Sequence, residues 1–418
     1  MTEWLGSRIY YGWVMVAALA VTETVSWGIL YYAFSVFLVP MRSSLGWSDA
    51  TLTGAYSLGL LVSGFAAPFV GRWIDRRGPR WLMTAGSLLG VVLVLAWSQV
   101  GSVLVWYLIW AGMGLAMSAT LYDPAFTAVT AWFERDRAKA FLLVTIAAGF
   151  ASTIFLPLSA WLVDAQGWRS ALVTLAVLLL VLTAVPHALF LRRRPEDLGW
   201  HPDGAVRETG ANTSRTASIH GAELREALRD PAFWWLAAGF ALETFSAVAV
   251  GVYLISYLIE RGDSAGFAAF ATGLIGAAQV GARILATMVG QRVSQVALTG
   301  FVFALQALAL ALLLEWQSNA GVLIAVLLLG MGRGVVTLMR AGLIADFYGR
   351  RNFGSINGSL AFILNGARAL SPIAVGLAIG ALGGYRSVFW GLAAISLLAA
   401  SMMLGVSRTE RAKGMPAR

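Results

Sequence analysis

The chain has no cysteine, which excludes disulfides, iron–sulfur ligation and thiol nucleophiles. Histidine is nearly as scarce. His187 ends an apolar run, and His201 and His220 fall in a polar stretch, too dispersed to form a metal cluster. No G-x-x-x-x-G-K-[ST] loop is present to cradle a nucleotide, so ion or solute gradients must drive any work the chain performs. Neither a cofactor nor a metal is expected, and enzymatic activity is not. Charge is sparse throughout: charged residues make up 12% of the 418 and hydrophobic residues 59%, a balance that places the chain in a membrane. In the second half buried acid is almost missing. Four arginines, Arg283, Arg333, Arg340 and Arg368, interrupt apolar runs there, and Glu243 is the one deep acid to oppose them. A charge at such depth faces water, a partner or an anion, so this positive interior points to a path for a negatively charged solute.

Twelve apolar runs are close to or above the roughly 20 residues that cross a bilayer core. They are 11–39, 50–70, 81–98, 103–131, 139–163, 170–190, 233–259, 265–289, 295–315, 320–346, 354–381 and 386–407. An even number of spans puts both termini on one side, and 22 of the 30 Lys and Arg residues lie at that face, against Arg42, Arg169, Arg261 and Arg386 at the other. The termini are therefore expected in the cytoplasm, with the chain in the plasma or inner membrane. The same scatter over loops accounts for the formal charge of +9 and argues against nucleic-acid binding. The first apolar segment is long enough to span, so it does not read as a cleavable signal.

A polar stretch, 192–230, separates an N-terminal half, 1–191, from a C-terminal half, 231–418, each with six spans; the stretch reads as a linker whose end, Glu223 to Arg229, forms a short surface helix. The halves repeat one another. Thr22-Glu23-Thr24-Val25-Ser26 matches Leu242-Glu243-Thr244-Phe245-Ser246, and Gly112-Met113-Gly114 matches Gly330-Met331-Gly332. Further along, Pro157 matches Pro372 and Gly167-Trp168-Arg169-Ser170 matches Gly384-Tyr385-Arg386-Ser387, all at offsets of 215 to 220. Parallel six-span repeats suit alternating access around a solute site near the midplane.

Gly71-Arg72-Trp73-Ile74-Asp75-Arg76-Arg77-Gly78-Pro79-Arg80 resembles the G-x-x-x-D-R-x-G-R-[KR] loop between the second and third spans of the major facilitator superfamily. Pro79 departs from the basic residue of that pattern, and the equivalent loop near Gly290-Gln291-Arg292 lacks the Asp. Asp75 is suited to a helix N-terminus and the arginines to acidic partners, together a latch that breaks as one side opens; Gly71, Asp75, Arg76, Gly78 and Arg80 are its candidate gating residues. Tyr11-Gly12-Trp13-Val14, the segment Trp132 to Ala140, and Arg194-Pro195-Glu196-Asp197-Leu198-Gly199 are similar to motifs of the monocarboxylate transporter and oxalate/formate antiporter branch. The resemblance implies an all-α membrane protein of twelve helices in two six-helix pseudo-repeats. It also implies an Arg in span 8 that binds the substrate carboxylate, preceded in many animal members by an Asp four residues earlier. Arg283 matches that Arg, and Gln279 stands in place of the Asp.

Gln279 and Arg283 lie one turn apart on a helix face, where a guanidinium can hold a carboxylate in a two-pronged grip beside an amide; the alternative is an ion pair inside the bundle. Arg333 is a second anion contact or a cavity-lining charge. Arg340 is a snorkelling or gate residue, with Asp123 its natural partner. Asn365, Arg368 and Pro372 share a face of span 11, and Arg368 either lines the site or does not; the Lys of the antiporter branch differs in its spacing to the following Pro. Glu23 and Glu243, at equivalent places in spans 1 and 7, carry a proton or pair permanently with an arginine. Tyr31, Tyr32 and Tyr122 shape the pocket, and most other aromatics, many of the 17 Trp included, are expected at the interfaces or facing lipid. The expected activity is secondary active transport of small organic anions, monocarboxylates foremost, by a monomer with the proton as co-substrate. Anion exchange, export of drugs or other neutral solutes, and a transport-free receptor or scaffold are the alternatives.

Overall fold

The computed structural model describes residues 10–204, 221–289 and 294–412. The loop at Gly290-Gln291-Arg292, linker residues 205–220 with His220, Arg8 and the last residues of the basic tail lie outside that set. The described chain is helical. Ten helices are long and apolar enough to cross a membrane, and one of them, Arg137–Phe190, is 54 residues long. At 1.5 Å per residue it is more than twice a bilayer core, and it turns at Gly167 (φ 80°, ψ 157°), so it comprises two spans. The remaining span is Ala265–Val289, whose apolar part is Phe270–Leu285. The fold is the expected twelve-helix, all-α membrane architecture.

The chain divides into two compact units. The first holds Met1–Glu223 together with Tyr348–Phe362, and the second Leu224–Phe347 with Ile363–Arg418. In the first, α1 (Tyr11–Ser26) passes through a π-helical turn, Trp27–Tyr32, into α2 (Phe34–Leu45). Then come α3 (Asp49–Arg77), α4 (Pro79–Ser98), α5 (Val103–Thr120), α6 (Tyr122–Trp132), α7 (Arg137–Gly149), α8 (Ala151–Leu179) and α9 (Val185–Phe190). The second holds α10 (Leu224–Arg229), α11 (Pro231–Glu260), α12 (Ala265–Val289), α13 (Gln295–Glu315), most of α14 (Asn319–Tyr348), the greater part of α15 (Phe353–Leu382) and α16 (Tyr385–Ala412).

Helix boundaries follow local chemistry. The Ser48 hydroxyl accepts from Thr51 N–H to start α3, Asp230 accepts from Ala232 N–H ahead of Pro231 at the start of α11, and Ser294 caps α13 through Ala297 N–H. Between α3 and α4 a single residue, Gly78 (φ 81°), takes a backbone conformation that a side chain would strain, and Pro79 opens the next helix.

Helices gain little from hydrophobic contact where lipid is equally apolar, so close packing and internal hydrogen bonds hold them. The repeated Gly-Met-Gly motif serves that end in both units. A Cβ on Gly112 would press on Leu93 of α4 and one on Gly114 would overlap the Gly59 carbonyl of α3; one on Gly330 would meet Ile275 of α12 and one on Gly332 the Gln306 side chain of α13. In each unit two glycines thus let the fourth span press against the second and third. The repeated Arg is used differently in the two units. Arg169 donates to the Ser98 and Val100 carbonyls at the end of α4, and Arg386 pairs with Glu315 at the end of α13, 2.7 Å away.

Four tryptophans depart from the expected interfacial placement. Trp97, Trp106, Trp110 and Trp132 are fully buried, and the first three meet tilted or edge to face at 5.5–5.6 Å around Phe34 and Phe37. Three of the ring N–H groups find internal acceptors: Trp97 donates to Met41 Sδ, Trp106 to the Leu52 carbonyl and Trp132 to the Arg192 carbonyl, whereas that of Trp110 has no partner among the described residues. Trp73, Trp81, Trp161, Trp234 and Trp316 do stand exposed.

The glycine crossing yields a test. Gly114→Leu should destabilise the protein by on the order of 1–3 kcal/mol, read as a lower melting temperature in detergent. Gly101→Ala, at a position with open space around it, should leave the melting temperature unchanged. Equal melting of both variants would show that the α3–α5 crossing is not closely packed.

Candidate functional site

In the first unit the chemistry gathers around the π-helical turn. Bonding from i to i+5 places residues i, i+4 and i+5 on one face, so Trp27, Tyr31 and Tyr32 cluster, with ring centres 5.0 Å, 6.2 Å and 5.1 Å apart. Tyr122 adds a fourth ring 5.0 Å from Trp27. Glu23, fully buried one turn before Trp27, accepts from its ring N–H at 3.1 Å, while Oε1 has no hydrogen-bond partner among the described residues. Span 4 is broken beside it. Leu121 is extended between α5 and α6, and Asp123 stands in the first turn of α6, near enough to act electrostatically on Glu23. Asn357 donates to Asp123 Oδ1 at 3.0 Å.

Asp75 lies at the first turn of α15. Its carboxylate accepts from Gly354 N–H (2.9 Å), Ser355 N–H (2.7 Å) and the Ser355 hydroxyl (2.6 Å), satisfying N–H groups that a helix start leaves unpaired and complementing the helix dipole. Gly71 permits this approach, since a Cβ there would overlap the Gly354 carbonyl, and Gly358 lies as close to Ala67. Arg194 donates to the Asp75 carbonyl and Arg80 to the Ala188 carbonyl, so Arg80 is held by backbone, and Arg76 is exposed. Arg350, outside the motif, meets two acids, Glu134 at 3.4 Å and Glu196.

In the second unit Arg283 is 5% exposed on α12, one turn after Gln279. Gly276, two turns before Arg283 on the same face, has nothing within 4 Å of where a Cβ would stand. Arg333 of α14 donates to the Ala247 carbonyl of α11, one turn beyond Glu243. Glu243 is buried beside Ser396, whose hydroxyl donates to that of Ser246, and lies in the field of Arg333. On α15 Arg368 donates to Asn365 Oδ1 at 2.9 Å, and the following turn is tied to α11: Ser371 donates to the Phe245 carbonyl, and Tyr253 to that of Pro372. Arg340 is half-buried on α14.

Within the first unit, then, Glu23, Tyr31, Tyr122 and Asp123 come together; within the second, Gln279 with Arg283, Arg333 with Glu243, and Asn365 with Arg368. Trp27, Asn357, Ser355 and Arg350 had not been singled out. The spacing of four between Glu23 and Trp27 is a signal that helical geometry offers; Asn357 and Ser355 meet their acids across more than 230 residues, which no local pattern encodes.

Apolar spanning helices that bury both guanidinium and carboxylate groups define a polytopic membrane transport protein. The chain belongs to the Major Facilitator Superfamily, whose family model matches residues 16–372. It is 24% identical to the MFS transporter asaE of Aspergillus flavus, over 78% of this chain and 71% of that one. It is 28% identical to monocarboxylate transporter 13 of Rattus norvegicus over 42% of this chain and 40% of that protein, and 25% identical to the oxalate:formate antiporter of Oxalobacter formigenes over 64% and 59%. The chain thus spans well under two thirds of the length of the two carboxylate-named relatives. The solved fucose:proton symporter of E. coli shares the fold, with a TM-score of 0.70 over 96% of this chain and 99% of its own, at 15% identity.

Charge-assisted hydrogen bonds of the Asp75 kind contribute about 1.5–3 kcal/mol each. Asp75→Asn should therefore speed hydrogen exchange at Gly354 and Ser355 by on the order of tenfold or more. It should also change which positions react from each side when single cysteines, introduced into this cysteine-free chain, are labelled. Unaltered exchange and labelling would remove Asp75 from the latch.

Proposed function

We propose that the chain is a secondary active transporter of small organic anions, monocarboxylates foremost, working by proton symport with alternating access. The observation that carries this reading is Arg283, buried on α12 one turn from Gln279, in a unit where the buried acid is Glu243 alone among the described residues. A guanidinium held in a low-dielectric setting offers a carboxylate two parallel N–H donors, and the Gln279 amide adds a neutral donor beside it. Arg333 and Arg368 already donate to uncharged acceptors, Ala247 and Asn365, and so add positive field without a carboxylate of their own in those contacts. The monocarboxylate and oxalate:formate relatives support the substrate class. The termini would face the cytoplasm, where most of the basic residues lie.

Glu23 and Glu243 would carry the proton. Each is buried with one carboxylate oxygen lacking a hydrogen-bond partner among the described residues, an arrangement that leaves room for a proton on that oxygen. The neutral Gln279 favours a second reading, anion exchange, because no acid stands beside Arg283 on its own helix turn to couple the two charges.

Two measurements test this. Arg283→Lys keeps the charge but loses the planar fork, so uptake of a labelled monocarboxylate into proteoliposomes should fall by at least tenfold while the protein still folds. Normal uptake would remove Arg283 from the site. Glu23→Gln or Glu243→Gln should abolish uphill accumulation driven by an inward proton gradient and spare exchange of labelled for unlabelled substrate, which needs no net proton movement. A wild-type protein that exchanges but never accumulates is an antiporter, and the glutamates are then structural.

A further inference from the structure

On the outer face of the first unit α3, α4 and α5 enclose an open groove of about 580 Å³ whose walls are apolar. Phe65 and Phe69 of α3, Leu89 of α4 and Leu115 of α5 stand exposed along its sides. Small residues make it deep. Ala85 and Gly86 line its floor, and a Cβ on Gly86 would stand 2.6 Å from that of Ala119, so α4 and α5 touch there. A volume of this size falls in the range of roughly 300–1,000 Å³ typical of ligand pockets.

One end of the groove is strongly basic. The helical stripe of α3 that lines it runs on at spacings of three and four from Phe65 through Phe69 to Arg72, Trp73, Arg76 and Arg77, all exposed. The Arg72 guanidinium lies 6.0 Å from the Phe69 ring centre, and Arg77 lies 4.5 Å above the Trp73 ring. Among the described residues none of these three arginines has a carboxylate partner. The acid of the same turn, Asp75, projects from another face of α3, where Gly354 and Ser355 occupy it. An apolar trough that ends in uncompensated guanidinium groups at a helix end matches a molecule with a long hydrocarbon tail and an anionic head.

We propose that this groove binds an anionic phospholipid, with an acyl chain lying against Phe65, Phe69 and Leu89 and the phosphate held by Arg72 and Arg77. Any membrane lipid can fill the trough; the arginines select the anionic one. Trp73, exposed beneath the Arg77 guanidinium, is of the amphipathic ring type enriched at the headgroup level of membranes.

Native mass spectrometry of the full-length protein, titrated with phosphatidylglycerol or with phosphatidylcholine of the same chains, tests the assignment. Wild type should retain phosphatidylglycerol on the order of tenfold more tightly than phosphatidylcholine, given the attraction of each basic side chain for anionic lipid. Arg72→Gln with Arg77→Gln should abolish that preference without changing phosphatidylcholine binding, and the double Lys variant should restore it. Ala85→Phe, which fills the floor, should weaken both lipids; Ala85→Leu replaces it if the larger side chain prevents folding. Equal affinity of wild type for the two lipids, a preference that survives the double Gln variant, or indifference to a filled floor would each overturn the proposal.

Discussion

Hydrocarbon supplies no hydrogen bonds, so a polar group within a spanning helix must find its partner inside the protein or face a site where water or solute reaches it. Much of each unit is arranged to meet that demand. Arg169 closes the end of α4 by donating to two carbonyls, and Tyr253 takes up the carbonyl of Pro372, in the part of α15 where the proline ring removes a backbone donor. Buried tryptophans donate to a methionine sulfur and to a backbone carbonyl. Glu23 and Glu243 each keep one buried carboxylate oxygen without a hydrogen-bond partner among the described residues, as do several buried hydroxyls and the Trp110 ring N–H.

Duplication accounts for the shared frame, and divergence for the difference in chemistry. The Gly-Met-Gly pair does the same packing work in both units, since close helix approach is a problem that any six-span unit of this kind faces. The repeated glutamates have lost that equivalence. Glu23 lies beneath aromatic rings with Asp123 nearby, whereas Glu243 lies beneath Ser396 with Arg333 nearby. One unit therefore surrounds its acid with π faces and negative charge, the other with a hydroxyl and positive charge.

Asp75 links the sequence motif to the start of α15. A carboxylate at the start of α15 is worth most while the helix end stays put, because its three hydrogen bonds converge on two adjacent residues. The glycines at 71 and 358 are needed for the same contact, since any side chain would hold the backbones apart. Such a joint is either made or broken, with few intermediate geometries.

The membrane setting, the helical class, the number of spans and the duplication were all legible in the sequence, because each rests on a property summed over many residues: long apolar runs, the bias of basic residues to one face, and matches at a constant offset. The buried charged residues that make up the candidate site were visible as well, since a charge within an apolar run is costly enough to announce itself. Partnerships were not. Asp75 reads as a helix cap from sequence, but which helix it caps depends on α15 being brought to it from 280 residues away. That the Arg beside Glu134 and Glu196 is Arg350, that Asn357 holds Asp123, and that four tryptophans turn inward depended on the tertiary structure, for a physical reason: hydrogen bonds and ring contacts act over a few ångströms, and only packing of the helices decides which distant residues come within that reach.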